Sequence, residues 1–415
     1  MSSTTVLARA RDLIKRRPAA LDLLRQHDFR NFWLSNAGSD LGDHLRFVAV
    51  AWLVLQLTDS VLWVGLILGI RALPTTALAL FGGAVTDRVD RRAILVVTRS
   101  AMAALGLLTG FLVSAGLIEA WHLLLLGVAA GAALAFSGPA WRAMVVDLVG
   151  REKALTGNAL NEVAGGAGEI LGPAMAGFLI AWTDVAVVYY LAGAIYVASV
   201  MLTLRVRHRT QPSARPKRSI LDDVRDGLAY ARRTPGIPAM LAIATTTIFV
   251  VALIPLLPVY ARDVLDVGSS GFGILGSALG VGFLVGSILI SMAGDIPKKA
   301  VVLLIAGAFW DGPMIAFAFS RIFVLSVALV FVMGIGAAIW VNLTVTLLQT
   351  FSNDEMRGRV MGLLLIANQT APLGMILAGA LASAVSNEFA LVFGAIFATP
   401  VSVIVFLRSP ALRRT

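Results

Sequence analysis

Twelve apolar runs of about twenty residues or more follow one another along this chain, each long enough for an α-helix to cross the ~30 Å hydrocarbon core of a bilayer. They fall at Phe32 to Leu57, Val61 to Ala84, Ala93 to Ala115, Trp121 to Val149, Leu155 to Trp182 and Val185 to Leu204. After a polar break come Ile237 to Tyr260, Gly271 to Ala293, Val301 to Phe319, Ile322 to Leu348, Val360 to Val385 and Phe389 to Leu407. Lipid supplies no hydrogen bonds, so runs of this length must be helices that satisfy their own backbone. Composition agrees: 58% of the 415 residues are hydrophobic, only 14% are charged, and mean hydropathy is +0.85. A soluble domain carries about 25% charged residues. The chain therefore reads as an all-α integral membrane protein, and the runs are too long for the alternating strands of an outer-membrane barrel.

The net charge of +10 could suggest nucleic acid until it is located. Twelve spans put both ends on one side, and 28 of the 34 Lys and Arg lie in the tails, the central break and the loops on that side. Only Arg262 and Arg321 lie in loops opposite. The positive-inside rule then puts both termini in the cytoplasm, with the basic charge against anionic lipid headgroups and no role for nucleic acid. Zero cysteines exclude disulfides and thiolate chemistry, and His27, His44, His122 and His208 lie too far apart to suggest a metal site by spacing. No cofactor is implied. Residues 1–28 form a basic segment without the apolar core of a signal peptide; Val6, Leu13, Ile14, Leu21 and Leu24 among arginines fit either a helix on the membrane surface or a disordered tail.

The longest polar stretch, residues 205–236, divides the chain into six spans and six. The organisation expected is a basic segment (1–28), a six-helix bundle (29–204), a cytoplasmic linker (205–236), a second bundle (237–407) and a tail (408–415). Pro212, Pro216 and Pro235 mark the linker, within which Ile220 to Ala231 has an amphipathic pattern. Gly172, Ala176 and Gly177 in span five have counterparts about 200 residues on at Gly374, Ala378 and Gly379 in span eleven. Gly83 and Asp87 are echoed by Gly294 and Asp295, followed by Lys298 and Lys299. Weak repeats between halves are a signature of secondary transporters, whose substrate sites lie between the repeats near the midplane.

After span two the sequence runs Gly83-Ala84-Val85-Thr86-Asp87-Arg88-Val89-Asp90-Arg91-Arg92, bringing glycine, acid and bases to one membrane edge. This resembles the cytoplasmic loop motif of the major facilitator superfamily, although Asp90 stands where glycine is common. The resemblance implies that Asp87 caps the start of span eleven and that Arg91 pairs with Asp147, locking an outward-open state, with Gly83 and Arg88 as parts of the same gate. Span five contains Gly168-Glu169-Ile170-Leu171-Gly172-Pro173-Ala174-Met175-Ala176-Gly177, a flat small-residue face with a proline that permits a bend. It resembles the antiporter motif of superfamily exporters, with Ala176 in place of the first glycine of the final pair. By that resemblance Gly168, Gly172, Pro173 and Gly177 seal the leak path of an exporter. Phe29 to Leu34 leading to Leu41-Gly42-Asp43, and Gly138-Pro139-Ala140 leading through Arg142 and Asp147 to Asn158, look like the branch containing macrolide-efflux and enterobactin-exporter proteins. The arginine that many drug:proton antiporters carry early in span four would fall near Leu123, so no mechanism that needs it carries over.

Ionisable groups inside a membrane are functional candidates by default. Span one carries Asp40, Asp43, His44 and Arg46, and span two carries Arg71. Asp43, paired with Arg71 or beside His44, is the candidate protonatable carboxylate; a permanent structural ion pair is the alternative. Glu162 and Glu169 share one stripe of span five and could relay a proton or bind a cation, with Arg142 as a candidate partner. In the second half Asp311 is the clear intramembrane acid, while Asn342, Asn368 and Gln369 are neutral hydrogen-bonding groups. With Phe136, Trp141, Trp310 and Trp340 these could line a cavity for an amphipathic ligand.

These readings converge on a twelve-helix exporter of the major facilitator fold, two pseudo-symmetric six-helix bundles working by alternating access as a monomer in a bacterial plasma (inner) membrane. Proton antiport would drive out an amphipathic small molecule such as a lipophilic drug or a siderophore. No ATP-binding P-loop appears. A lysophospholipid flippase or facilitator of the same superfamily, and a non-transporting receptor or scaffold, are the alternatives. Uptake by symport is disfavoured by the span-five motif. The chain holds no histidine-rich motif, metal-spaced aspartate pair or serine elbow, so an enzyme is not expected.

Overall fold

A computed structural model describes residues 19–209, 220–294 and 296–415. Val6, Leu13 and Ile14 of the amphipathic N-terminal reading, Pro212 and Pro216 of the linker and Asp295 of the internal echo lie outside the described residues. Among the described residues ten helical runs are long and apolar enough to cross a membrane. One of them, Ala120–Trp182, spans 63 residues, about 95 Å at 1.5 Å per residue, which is three bilayer cores. It breaks at Gly150, whose φ of 74° and ψ of 165° suit a residue without Cβ, and so supplies spans four and five. Span one is the 32-residue helix His27–Thr58, whose intramembrane charges lower its hydropathy. Twelve membrane-length segments result.

Spans two, three, six, eight, nine, ten and twelve are Val61–Thr86, Arg91–Ser114, Val185–Arg205, Gly268–Met292, Lys299–Ala318, Phe323–Phe351 and Asn387–Arg408. Spans seven and eleven depart from the uninterrupted helices expected. Span seven is built from Ile237–Ala244, Thr247–Val250 and Leu253–Val259 and ends in a π-helical turn, Tyr260–Val264. Three consecutive threonines, Thr245 to Thr247, cause the first break: the hydroxyls of Thr245, Thr246 and Thr247 donate to the carbonyls of Ala242, Ile243 and Ala244. Span eleven is Arg357–Asn368 followed by Ala371–Ala384. Here Pro372 has no N–H for the Asn368 carbonyl and disfavours helical geometry at Ala371.

Each half is a bundle. Span one packs on the span four to five run and on span six, and span three packs on span six; in the second half span eight packs on ten, and nine on ten and twelve. The linker helix Ile220–Arg233 lies against Arg357–Asn368, with Tyr230 Oη accepting from the Asn353 N–H at 3.1 Å.

The two bundles meet along two seams, and both lie toward the face opposite the termini, the far face. Span five packs on span eight, and span two packs on the far half of span eleven, Ala371–Ala384. Glycine sets both distances of approach. A Cβ on Gly177 would sit 2.8 Å from Gly273 Cα, and one on Gly379 would sit 3.3 Å from Gly65 Cα. Gly177 and Gly379 are the residues that the internal repeat aligns. Its other pair behaves alike, Gly172 against His44 of span one and Gly374 against Ile248 and Val251 of span seven. At the terminal face the bundles part. The terminal half of span eleven packs on the linker helix Ile220–Arg233 and on Ile237–Ala244 and Phe323–Phe351 of the second half. Leu155 and Val163 of span five stand 83% and 68% exposed.

Candidate functional site

Span one carries its charges where span five presents glycines. Gly168 faces Leu41 and His44, Gly172 faces His44 and Leu45, and the nearest atom to a Cβ on Gly165 would be Asp40 Oδ2 at 3.7 Å. The helices can therefore approach closely enough to keep lipid from the polar residues of span one. Pro173 leaves the Glu169 carbonyl without a helical donor, and span eight covers this stretch through Gly280, while Ser277 Oγ donates to the Ile170 carbonyl at 2.6 Å. Span five is thus wedged between the charged segment of span one and the second bundle.

Asp43 is paired with Arg71: Nη2 donates to Oδ1 at 3.3 Å across spans one and two, and both side chains are largely shielded. Among the described residues no hydrogen bond joins Asp43 to His44, whose ring Nδ1 donates to the Asp40 backbone carbonyl at 2.8 Å. Arg71 also lies 5.9 Å from the centre of the Phe47 ring. Arg46 is buried, with Nη1 directed at the Met102 sulfur at 3.4 Å.

Arg99 of span three is the residue that the charge survey of spans one, two and five passes over. It is 2% exposed and holds three neutral oxygens: Ser35 Oγ at 2.8 Å, Thr203 Oγ1 at 2.5 Å and Asn36 Oδ1. Asn36 Nδ2 in turn donates to Asn161 Oδ1 at 3.0 Å, so one guanidinium links spans one, three, five and six. Its signal in the sequence is an arginine six residues inside a predicted span. A cavity of about 100 Å³ opens beside it, lined by Asn36, Asp40, Asp43, Arg99, Trp141 and Tyr196.

The aromatic and amide residues expected to share one ligand cavity are divided. Trp141 lines the first-bundle cavity, and Phe136 packs against the apolar cluster that includes Phe29, Phe32 and Met144. Arg142 is exposed, its guanidinium 5.2 Å from the Trp141 ring centre, and among the described residues no ion pair joins it to Glu162 or Glu169. Glu162 is exposed and Glu169 half-buried. Trp310, Asp311 and Trp340 line a separate cavity within the second bundle. Asn342 is turned onto its own helix, donating to the Ala338 carbonyl at 2.8 Å, and Asn368 is exposed at the break in span eleven. Gln369 accepts from the Thr76 hydroxyl, a direct bond between the bundles at mid-depth. The reason for the division is topological: the two halves each enclose a cavity of their own, so residues of similar depth face the interior of their own bundle and not a shared space between bundles.

At the terminal edge Arg91 Nη1 donates to Asp147 Oδ2, joining the start of span three to the end of span four; the pair is formed within one bundle while the two bundles part at this face, so, contrary to expectation, it does not by itself lock an outward-open state. Arg92 secures span six through the Thr203 and Leu204 carbonyls at 3.2 and 2.5 Å. Asp87 closes the helix of span two, its N–H donating to the Gly83 carbonyl at 3.2 Å; Gly83 has open space around it and Arg88 is exposed. At the far edge Arg262, presented by the π-helical turn of span seven, donates to Asp59 Oδ1 at 2.7 Å and to the Leu55 carbonyl at 3.1 Å, across the halves.

A family model described as transmembrane secretion effector matches residues 19–414. The chain is 27% identical over 369 residues to the multidrug efflux pump Tap of Mycolicibacterium fortuitum, covering 83% of this chain and 86% of that protein. It is 25% identical over 370 residues to the enterobactin exporter EntS of Shigella flexneri, covering 87% of each. Among solved structures, a bacterial homolog of the human lysosomal transporter Spinster superposes with a TM-score of 0.74 at 15% identity, covering 93% and 97% of the two chains. A POT family transporter gives 0.75 at 11% identity, covering 92% and 96%. These families are transporters and not enzymes, and on the match over nearly its whole length this multi-pass membrane protein belongs to the transmembrane secretion effector family of the major facilitator superfamily.

Proposed function

We propose that the protein exports an amphipathic small molecule, a lipophilic drug or a siderophore, by alternating access coupled to proton antiport. The observation that carries the reading is the arrangement of the two bundles, which touch along glycine seams in their far halves and part toward the terminal face. With 28 of 34 basic residues on the terminal side, that face is the cytoplasmic one, so substrate enters from the cytoplasm. Relatives that are a drug pump and a siderophore exporter support the same direction and cargo class. The bacterial inner membrane, a monomer, and the division at 29–204, 205–236 and 237–407 belong to this reading.

Asp43 is the proton carrier in this mechanism. Its ion pair with Arg71 joins spans one and two, so a rearrangement that separates the two side chains changes the partner available to the carboxylate. Asp40, His44, Glu162 and Glu169 give the proton a polar route along spans one and five, and Arg91–Asp147, Asp87 and the glycines of span five define the moving edges. One proton moving down 100 mV releases ~2.3 kcal/mol, enough for accumulation of roughly fiftyfold.

The test is collapse of an imposed pH gradient in everted vesicles on adding a macrolide, a tetracycline, a catecholate siderophore or a lysophospholipid. Collapse with wild type that vanishes in folded Asp43→Asn is the expected result, and the active compound names the cargo. Folded, inserted protein that collapses the gradient with none of them would remove the antiport reading in favour of facilitated lipid movement or a non-transporting role.

A further inference from the structure

The second-bundle cavity lies inside one bundle, away from the seams between halves. Its volume is about 140 Å³, and spans seven, nine, ten and twelve wall it through Thr247, Gly307, Trp310, Asp311, Trp340 and Thr399. The threonine break in span seven forms one side. Most of the wall is apolar, yet Asp311 brings a carboxylate that is only 6% exposed. Its Oδ2 accepts from the Thr399 N–H at 3.0 Å. Its Oδ1 is buried without any donor, and among the described residues no Lys, Arg or His forms an ion pair with it. The indole N–H of Trp310, on the same wall, has no acceptor.

A buried carboxylate oxygen without a donor from the protein is costly, and a cationic group that joins it supplies both the missing hydrogen bond and the opposite charge. The surroundings favour an organic cation. Two tryptophan side chains line the cavity, a residue type that attracts cations, and an apolar cavity of about 150 Å³ in another protein holds a benzene molecule. A hydrated metal ion would instead require several oxygen ligands. We propose that this cavity binds a protonated amine carried on a group about the size of a benzene ring, with Asp311 as its counter-ion. The site is additional to the Asp43 machinery and does not depend on proton coupling.

Equilibrium binding to the purified full-length protein in detergent, with no gradient present, tests it. The probes are benzylamine, charged at neutral pH, and benzyl alcohol, its neutral analogue of nearly equal size. Wild type should bind the amine about tenfold or more tightly than the alcohol, because only the amine forms a charge-assisted bond. Asp311→Asn keeps the shape of the side chain and should bind the two probes within about twofold of one another, with affinity for the alcohol unchanged. Ala337→Leu, which fills the cavity, should lose both. The proposal is overturned if wild type shows no preference for the amine or binds neither probe, if Asp311→Asn keeps the preference, or if Ala337→Leu binds both as before. Because vesicle transport depends on Asp43 and this binding does not, either reading can fail while the other stands.

Discussion

Arg99 illustrates how a charge can be kept in a membrane without an opposite charge bonded to it. Its guanidinium is held by three oxygens fixed on spans one and six, and its planar fork reaches all of them at once. Replacing it with alanine leaves Ser35 Oγ and Asn36 Oδ1 without this donor, and should cost about 2–4 kcal/mol in detergent unfolding. Arg99→Lys should recover less than half of that loss, since an ammonium cannot reproduce the fork; full recovery would assign Arg99 a purely electrostatic role. The Asp43–Arg71 pair obeys different arithmetic. Arg71→Gln alone leaves a shielded carboxylate without its counter-ion and should destabilise by about 2–3 kcal/mol, while Asp43→Asn with Arg71→Gln should cost clearly less than the two single changes added together. Additive losses would mean that the pair is not coupled. Asp43 and Arg71 could be named from the sequence because each stands in an apolar run. That Asp43 would pair with Arg71 and not with His44 could not, since it depends on how spans one and two are set against each other.

At the scale of the element, run length and polarity identify all twelve spans, and the turn chemistry between spans four and five is a single residue, Gly150. Its φ of 74° with ψ of 165° is open to glycine and strained for any residue with Cβ. Gly150→Ala should cost about 1–3 kcal/mol in thermal unfolding even though a methyl group there would meet nothing within 4 Å. An unchanged unfolding temperature would show that the turn can relax. Hydropathy sees how many apolar residues follow one another and is blind to whether their backbone is continuous, which is why spans seven and eleven read as single helices. The local signals were Thr245 to Thr247, whose hydroxyls compete for helical carbonyls, and Pro372, which cannot donate. Both interruptions lie near mid-depth, and Thr247 Oγ1 and Thr370 Oγ1 meet there at 3.0 Å. The sequence already sets Phe136 and Trp141 in the first bundle and Trp310 and Trp340 in the second; that the two cavities lie within the bundles and not between them was not legible, because counting residues gives depth along a helix and not the neighbour a side chain faces.

For the whole molecule, the distribution of basic residues makes orientation testable. A fluorescent protein fused after Thr415 should fluoresce and an alkaline phosphatase fused there should be inactive, as both require a cytoplasmic terminus; the opposite pair of results would invert the assignment of the two faces. The seams offer a second test, helped by a chain that contains no cysteine. In a Ser277→Cys reporter, Gly177→Leu should force spans five and eight apart and raise labelling by a membrane-impermeant maleimide from the far side about tenfold. No change would mean that the seam does not gate access. The internal repeat foretold which glycines are equivalent, and the fold gives the reason, since Gly177 with Gly273 and Gly65 with Gly379 are the same contact made once in each seam. Where backbone lies against backbone there are few rotamers to freeze or release, and glycine has none. Closing these contacts is therefore nearly free of side-chain entropy, and in the proposed alternating-access cycle the balance between the closed and open far face should shift little with temperature.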